Sequence, residues 1–236
     1  MKYEAILFDL DGTLLPLDLD VFTKRYFTEL SKVLAPYGYE PEALVKSIWT
    51  GTKAMMKNDG SMKNRDLFWK TFAEITGRPT DEAEKICDTF YSNEFHLARE
   101  VCGENPLAIE AVKAARDAAG KVIVATNPLF PMVGQLSRLS WVGLTSDMFD
   151  MITSYEENSY CKPNPEYYRS ICERLSLNPE NCLMVGNDED EDMHAAAALG
   201  MDTYLVCDCI IPSKTKEYTG KRGTFAEMLE FLKSNN

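Results

Sequence analysis

The chain has 236 residues, is 45% hydrophobic and carries a formal net charge of −12. That is enough apolar material for one large domain, or one domain with an insertion, and it argues against disorder. A surface this acidic repels phosphate backbones over the Debye length, which disfavours nucleic acid, although a small phosphorylated molecule can still bind in a local positive pocket.

Residues 5–8 (Ala-Ile-Leu-Phe) form an apolar run that stops at Asp9 and Asp11, followed at once by Gly12 and Thr13. Such a run, ended by glycine, reads as a buried strand of a parallel sheet, whose carboxyl end is where open α/β sheets bind ligands. Two carboxylates on the same side of the chain repel each other, and a hard divalent cation such as Mg2+ answers that repulsion with oxygen ligands. The segment is a first strand and not a cleaved leader, since no small-residue cleavage site follows it. No run along the chain reaches the ~18 apolar residues of a membrane-spanning helix.

Residues 18–100 carry helical periodicity and almost no strand signal. Tyr26, Phe27, Leu30 and Val33 mark one helix, stopped near Pro36 and Gly38. Pro41 opens a second, which ends around Asn58, Asp59 and Gly60. Leu67, Phe68, Phe72 and Ile75 mark a third, closed by Gly77. A fourth begins at Thr80, with acids in its first turn where the helix dipole favours them, and runs through Phe90 and Tyr91.

From Pro106 onward helix and strand alternate. Helices are expected over 108–119, 131–139, 165–175, 193–199 and 225–232, and strands over 122–125, 151–154, 182–185 and 203–206. This alternation predicts an α/β fold, a doubly wound parallel sheet covered on both faces, with an all-helical block inserted after the first strand. The expected division is an α/β core of residues 1–16 and 101–236 and a helical block of residues 17–100.

The seven cysteines are odd in number, and the segment Cys207-Asp208-Cys209 is one residue short of the usual zinc pair with no second pair to answer it. They read as structural thiols in a reducing cytoplasm. His96 and His194 are the two histidines, expected on helix surfaces or in the core, and Trp49, Trp69 and Trp141 are expected to pack.

Four motifs fall at strand ends or just after them: Asp9-Leu10-Asp11-Gly12-Thr13, Thr126-Asn127, Lys162 within Cys-Lys-Pro-Asn-Pro, and the acidic stretch from Gly186 to Asp192. This set, in this order, resembles the haloacid dehalogenase superfamily, most closely its phosphatase branch with a helical (C1-type) cap. The resemblance covers the core and places the helical block where members carry the cap. It implies a Mg2+-dependent hydrolase of small phosphorylated metabolites. Asp9 would be the nucleophile, forming an aspartyl-phosphate, and Asp11 the general acid and base. Thr126, Asn127 and Lys162 would bind the phosphoryl group. Asp9, Asp11, Asn187, Asp188 and Asp192 would hold the metal.

Asn187 stands where the family commonly has aspartate. Asn is an acceptable oxygen ligand, Asp188 could supply the charge, and Asp192 could bind through water or hold Lys162. Glu189, Asp190 and Glu191 read as the acidic first turn of the following helix. Asp11 argues against the dehalogenases and phosphonatases of the superfamily, which place no acid there, even though Lys53 and Lys57 lie in the cap. A phosphomutase, or a non-catalytic binding protein on the same fold, are the alternatives. The cap would set the substrate, with Lys53 and Arg65 as polar candidates, and the expected state is a monomer or homodimer.

Overall fold

The computed structural model describes residues 2–234. Six strands form one parallel sheet in the order β3-β2-β1-β4-β5-β6. They are β1 (Tyr3–Phe8), β2 (Ala119–Val124), β3 (Met151–Ile152), β4 (Cys182–Gly186), β5 (Asp202–Val206) and β6 (Lys221–Gly223). The first strand is central, with Phe8 beside Val124 on one side and Val185 on the other. The strand order reverses across β1, so the crevice at its carboxyl end is where such a sheet binds ligands.

Alternation along the strands divides the core into two layers. Ile6, Phe8, Val122, Val124, Leu183 and Val185 pack with residues of α5 (Ala108–Ala118) and α9 (Phe225–Lys233) on one face. Ala5, Leu7, Ile123, Cys182 and Met184 face the other way, onto α7 (Pro165–Leu175) and the short α8 (Ala195–Ala197). The sheet is thus covered on both faces, as the alternating sequence pattern predicts.

Between β1 and α5 lie α1 (Leu19–Leu34), α2 (Pro41–Met56), α3 (Asn64–Thr76) and α4 (Asp81–Ser92), then a 3-10 segment, Glu94–Val101. Asp18 caps α1 by accepting from the Asp20 and Val21 amides. The chain leaves the sheet and returns to it at one place: Gly103 N–H donates to the Pro16 carbonyl at 2.7 Å, and Leu17 bridges Cys102. An aromatic cluster joins this block to the rest, with the Phe22 ring 6.3 Å from Phe130 and 6.5 Å from Trp141, which ends α6 (Met132–Trp141).

Several boundaries differ from the sequence expectations, among them the strand expected over 151–154, which is only Met151–Ile152. The helix expected to run to 119 and stop at Gly120 ends at Ala118, and Ala119 and Gly120 already belong to β2. The helix expected over 193–199 is a π-helical turn, Glu189–His194, running into α8. Lys221–Gly223, which lacks any apolar alternation, nevertheless pairs with β5 at the sheet edge. Among the described residues, no helix is long and apolar enough to cross a membrane.

Candidate active site

The carboxyl ends of β1, β2 and β4 bring the four motifs together. The Asp9 amide donates to Val185 O and the Ala125 amide to Phe8 O, so the strand ladder continues into the first two motifs. Gly12 has φ +89°, and a side chain there would run into the Asn187 amide, so only glycine lets the two loops approach. Thr13 Oγ1 donates to Asn187 Oδ1 at 3.1 Å and lies 3.5 Å from Asp9 Oδ2. Thr126 lines the same cavity, its carbonyl held by Thr153 Oγ1 at 2.7 Å and by the Tyr167 hydroxyl at 2.8 Å.

Lys162 is 1% exposed, and its Nζ donates to Asp9 Oδ1 at 2.8 Å and Asp192 Oδ1 at 2.6 Å. Asp192 Oδ2 accepts from the amides of Asn187 and Asp188. Burial opposes the ammonium charge, but the carboxylates of Asp192 and Asp9 outweigh it and hold the Lys162 pKa well above its ordinary value. Asp9 is in the weaker position. Burial pushes its carboxyl up to about 7 against the pull of Lys162, with Asp192 and Asp11 adding to the rise. One cation is shared between two buried carboxyls, and Asp192 has two backbone amides in addition where, among the described residues, Asp9 has none.

Asp11 pairs with Arg138, a residue that no sequence motif places here. Arg138 is on α6, 0% exposed, donating to Asp11 Oδ2 and to Gln135 Oε1, with its guanidinium 4.3 Å from the centre of the Phe130 ring. Gln135 and Arg138 sit three apart on the buried face of an otherwise amphipathic helix, and that spacing is the one available signal. Asp11 Oδ1 is buried and, among the described residues, has no hydrogen-bond partner.

The acidic motif separates by role. Asp188 Oδ1 caps the π turn through the amides of Asp190 and Glu191, while Asp188 also lines the cavity. Glu189 accepts from the Ser213 and Tyr218 amides and is structural. Glu191 departs from the expected first-turn role: it lines the cavity and accepts from Asn127 Nδ2 at 2.9 Å. Burial raises its pKa to about 8. Asn127 lines the cavity as well, with its Nδ2 donating to Glu191 and to the Lys162 carbonyl. His194 bonds the Lys216 carbonyl and His96 the Asn93 carbonyl, both apart from this cluster.

The donor set can be tested against a hard cation. Asp9, Asp11, Asn187 and Asp188 offer oxygen atoms to one cavity, and the orphaned Asp11 Oδ1 and the raised Asp9 carboxyl mark a surplus of negative charge. Among the described residues no three His, Cys, Asp or Glu side chains gather to hold an ion by themselves. A cation here would depend on amide, carbonyl and water oxygens as well, which suits Mg2+, whose shell usually keeps several waters. Asp192, expected among the ligands, is instead committed to Lys162 and two backbone amides.

Residues 3–200 match the haloacid dehalogenase-like hydrolase family, and the chain belongs to it. It is 27% identical over 207 residues to the ribulose-1,5-bisphosphate 5-phosphatase of Halopiger xanaduensis, covering 85% of this chain and 83% of that protein. It is 27% identical over 206 residues to the pyrimidine 5′-nucleotidase YjjG of Escherichia coli, covering 86% and 85%. The magnesium-bound HAD-hydrolase YfnB of Bacillus subtilis superposes with a TM-score of 0.59 at 19% identity, over 98% of this chain and 99% of that one.

Proposed function

We propose that this enzyme, a haloacid dehalogenase-like phosphatase, hydrolyses phosphate monoesters of small molecules with Mg2+ and through an aspartyl-phosphate on Asp9. The observation that carries the reading is the junction at the strand ends: Asp9 and Asp11 face one cavity, and Lys162 lies 2.8 Å from the Asp9 carboxyl. Mg2+, held by Asp9, the backbone carbonyl of Asp11, Asn187 and Asp188 with water oxygens, would supply Lewis-acid neutralisation of the phosphoryl oxygens.

The protein's own groups perform the rest. An Asp9 carboxyl oxygen attacks phosphorus, forming an acyl phosphate as the bond to the leaving oxygen breaks. Asp11 gives its proton to that leaving oxygen. Its carboxylate then takes a proton from water as the water attacks phosphorus, freeing Asp9 and inorganic phosphate. Thr126 donates its hydroxyl to the phosphoryl group, and Lys162 offsets charge on Asp9 and on the group in transfer. Arg138 orients Asp11 by donating to its carboxyl, and Asp192 positions Lys162.

We further take residues 17–100 as a cap over a core of 1–16 and 101–236, with its hinge where Pro16–Leu17 meets Cys102–Gly103. Closing such a cap would exclude water from the acyl phosphate. Seven free cysteines favour a reducing cytoplasm.

The test is phosphate release from a broad ester panel, with and without Mg2+ and for Asp9→Asn. Metal-dependent release should fall by about 10⁴-fold or more in the variant, the scale of losing a covalent nucleophile. Release that survives the substitution overturns the assignment of Asp9, and no release from any ester overturns the phosphatase reading. A sugar 1-phosphate given with a bisphosphate primer should yield free phosphate; an isomer as the product would identify a phosphomutase instead.

A further inference from the structure

The cavity above Asp9 does not end at the phosphoryl site. It continues between α1, α2, α3 and α4, for a total volume of about 1120 Å³, beyond the ~300–1,000 Å³ usual for small-molecule pockets. Its inner walls are Tyr26, Leu30, Leu44, Ile48, Trp69 and Phe72, each almost wholly shielded from solvent. Two polar pairs along this arm already answer one another: the Tyr26 and Tyr91 hydroxyls are 2.8 Å apart, and Trp69 Nε1 donates to the Tyr155 hydroxyl at 3.4 Å.

Charge is what the arm lacks. Among the described residues, Lys214 at the mouth is the one cationic side chain lining the cavity, and Asp18 and Asp20 line it with the opposite sign. Arg65 pairs with Glu84 at 2.6 Å, and neither it nor Lys53 lines the cavity. A second phosphate or a carboxylate drawn into this space would be desolvated with no partner, which is strongly unfavourable. An apolar chain would instead bury its surface against the ring faces and Leu and Ile side chains, at about 25 cal/mol per Å².

We propose that the leaving group of the substrate is a long apolar alcohol, so that the enzyme acts on an amphiphilic phosphate monoester with its phosphate at Asp9 and its chain between α1, α2 and α3. The inference rests on the phosphatase reading above and names the substrate class of that same site.

The test is a series of ethyl, butyl, hexyl, decyl and geranyl phosphates, each below its micelle-forming concentration. Phosphoglycolate, glucose 6-phosphate, a nucleoside 5′-monophosphate and p-nitrophenyl phosphate are measured alongside. With Mg2+ present, kcat/KM should climb with chain length, by up to about four-fold per methylene, and decyl phosphate should exceed every polar ester. 1-Decanol should inhibit competitively, and 1-butanol far less. Thr52, on α2 and half-buried in the arm wall, offers a change that spares the core. Thr52→Trp should cut the decyl-to-ethyl ratio of kcat/KM at least ten-fold. A flat chain-length profile with p-nitrophenyl phosphate still turned over, or a polar ester as the best substrate, overturns the inference and leaves the phosphatase reading standing. An unchanged ratio in the variant overturns the placement of the chain. No phosphate from any ester overturns both readings together.

Discussion

At the sheet end of the cavity the buried Lys162 donates to both Asp9 and Asp192, whereas at the helical end Tyr26, Leu30, Ile48 and Phe72 wall an apolar space. The first region fixes a few polar atoms with strong, directional, charge-assisted bonds. The second offers area without direction. Position and selection are thereby divided between the two halves: a phosphoryl group can sit in one orientation over Asp9, while the remainder of the molecule is sorted by how much apolar surface it brings. Substitutions at the sheet end should therefore act on every substrate, and substitutions in the arm in proportion to chain length.

Lys162→Met should produce the largest change. It leaves two buried carboxyls facing each other without a cation, and removing one partner of a buried ion pair costs about 3–5 kcal/mol of stability. Turnover should be lost on all esters. Urea unfolding of the single variant and of Lys162→Met/Asp192→Asn separates the effects: the double variant should recover part of the stability and none of the activity. Equal stability in the two would mean that charge crowding is not what Lys162 relieves.

Asp11→Asn comes next. A lost general acid costs about 10²–10⁴-fold, and the loss should be greater on ethyl phosphate than on p-nitrophenyl phosphate, whose leaving phenolate needs little help. Equal losses on both esters would remove the acid role from Asp11.

The hydroxyl pair that closes the arm should show a smaller effect, read in stability. Tyr26→Phe leaves the buried Tyr91 hydroxyl without its 2.8 Å partner, at about 1–3 kcal/mol. Removing both hydroxyls in Tyr26→Phe/Tyr91→Phe should restore most of that loss, because neither polar atom is then stranded. A double variant as unstable as the sum of the two single ones would show that the hydroxyls bond elsewhere, and the arm would not be the self-satisfied apolar space described here.

The contrast between the regions also explains what could be read in the sequence. Asp9, Asp11, Thr126, Lys162 and the Gly186–Asp192 stretch each follow a strand or open a helix, so one-dimensional punctuation marks them even though they meet only in three dimensions. The parallel sheet and the helical insertion were legible for the same reason, since period and turn residues are local. The arm was not legible. Leu30, Ile48, Trp69 and Phe72 repeat at helical spacing whether a helix packs against its neighbour or lines a cavity, and no local pattern distinguishes the two cases. Trp49 shows the limit: expected to pack, it lines the cavity and is 43% exposed. Arg138 was hidden differently, as one charged residue on an amphipathic helix, where the default is a solvated face. Glu191 looked like a first-turn acid because its neighbours Glu189 and Asp190 are.

Glu191 tests, through the pH dependence of stability, whether the sheet end is crowded with negative charge. Its pKa is raised to about 8 by burial first and by Asp188 and Asp192, with Lys162 and the Asn127 amide pulling it down. The folded protein thus holds the Glu191 proton more tightly than the unfolded chain, whose glutamates titrate near pH 4.3. The stability that comes from this proton is complete below about pH 4 and is lost as the pH rises through about 8. Glu191→Gln has no proton to lose. Thermal unfolding across pH 5 to 9 without added Mg2+ should therefore show the variant gaining on the wild type as pH increases, with a crossover or a widening gap above pH 7. Parallel curves would mean that Glu191 is ionised throughout in the folded protein. The Asn127 amide and Lys162 would then suffice to hold its charge, and the sheet end would carry less uncompensated negative charge than the orphaned Asp11 oxygen and the raised Asp9 carboxyl imply.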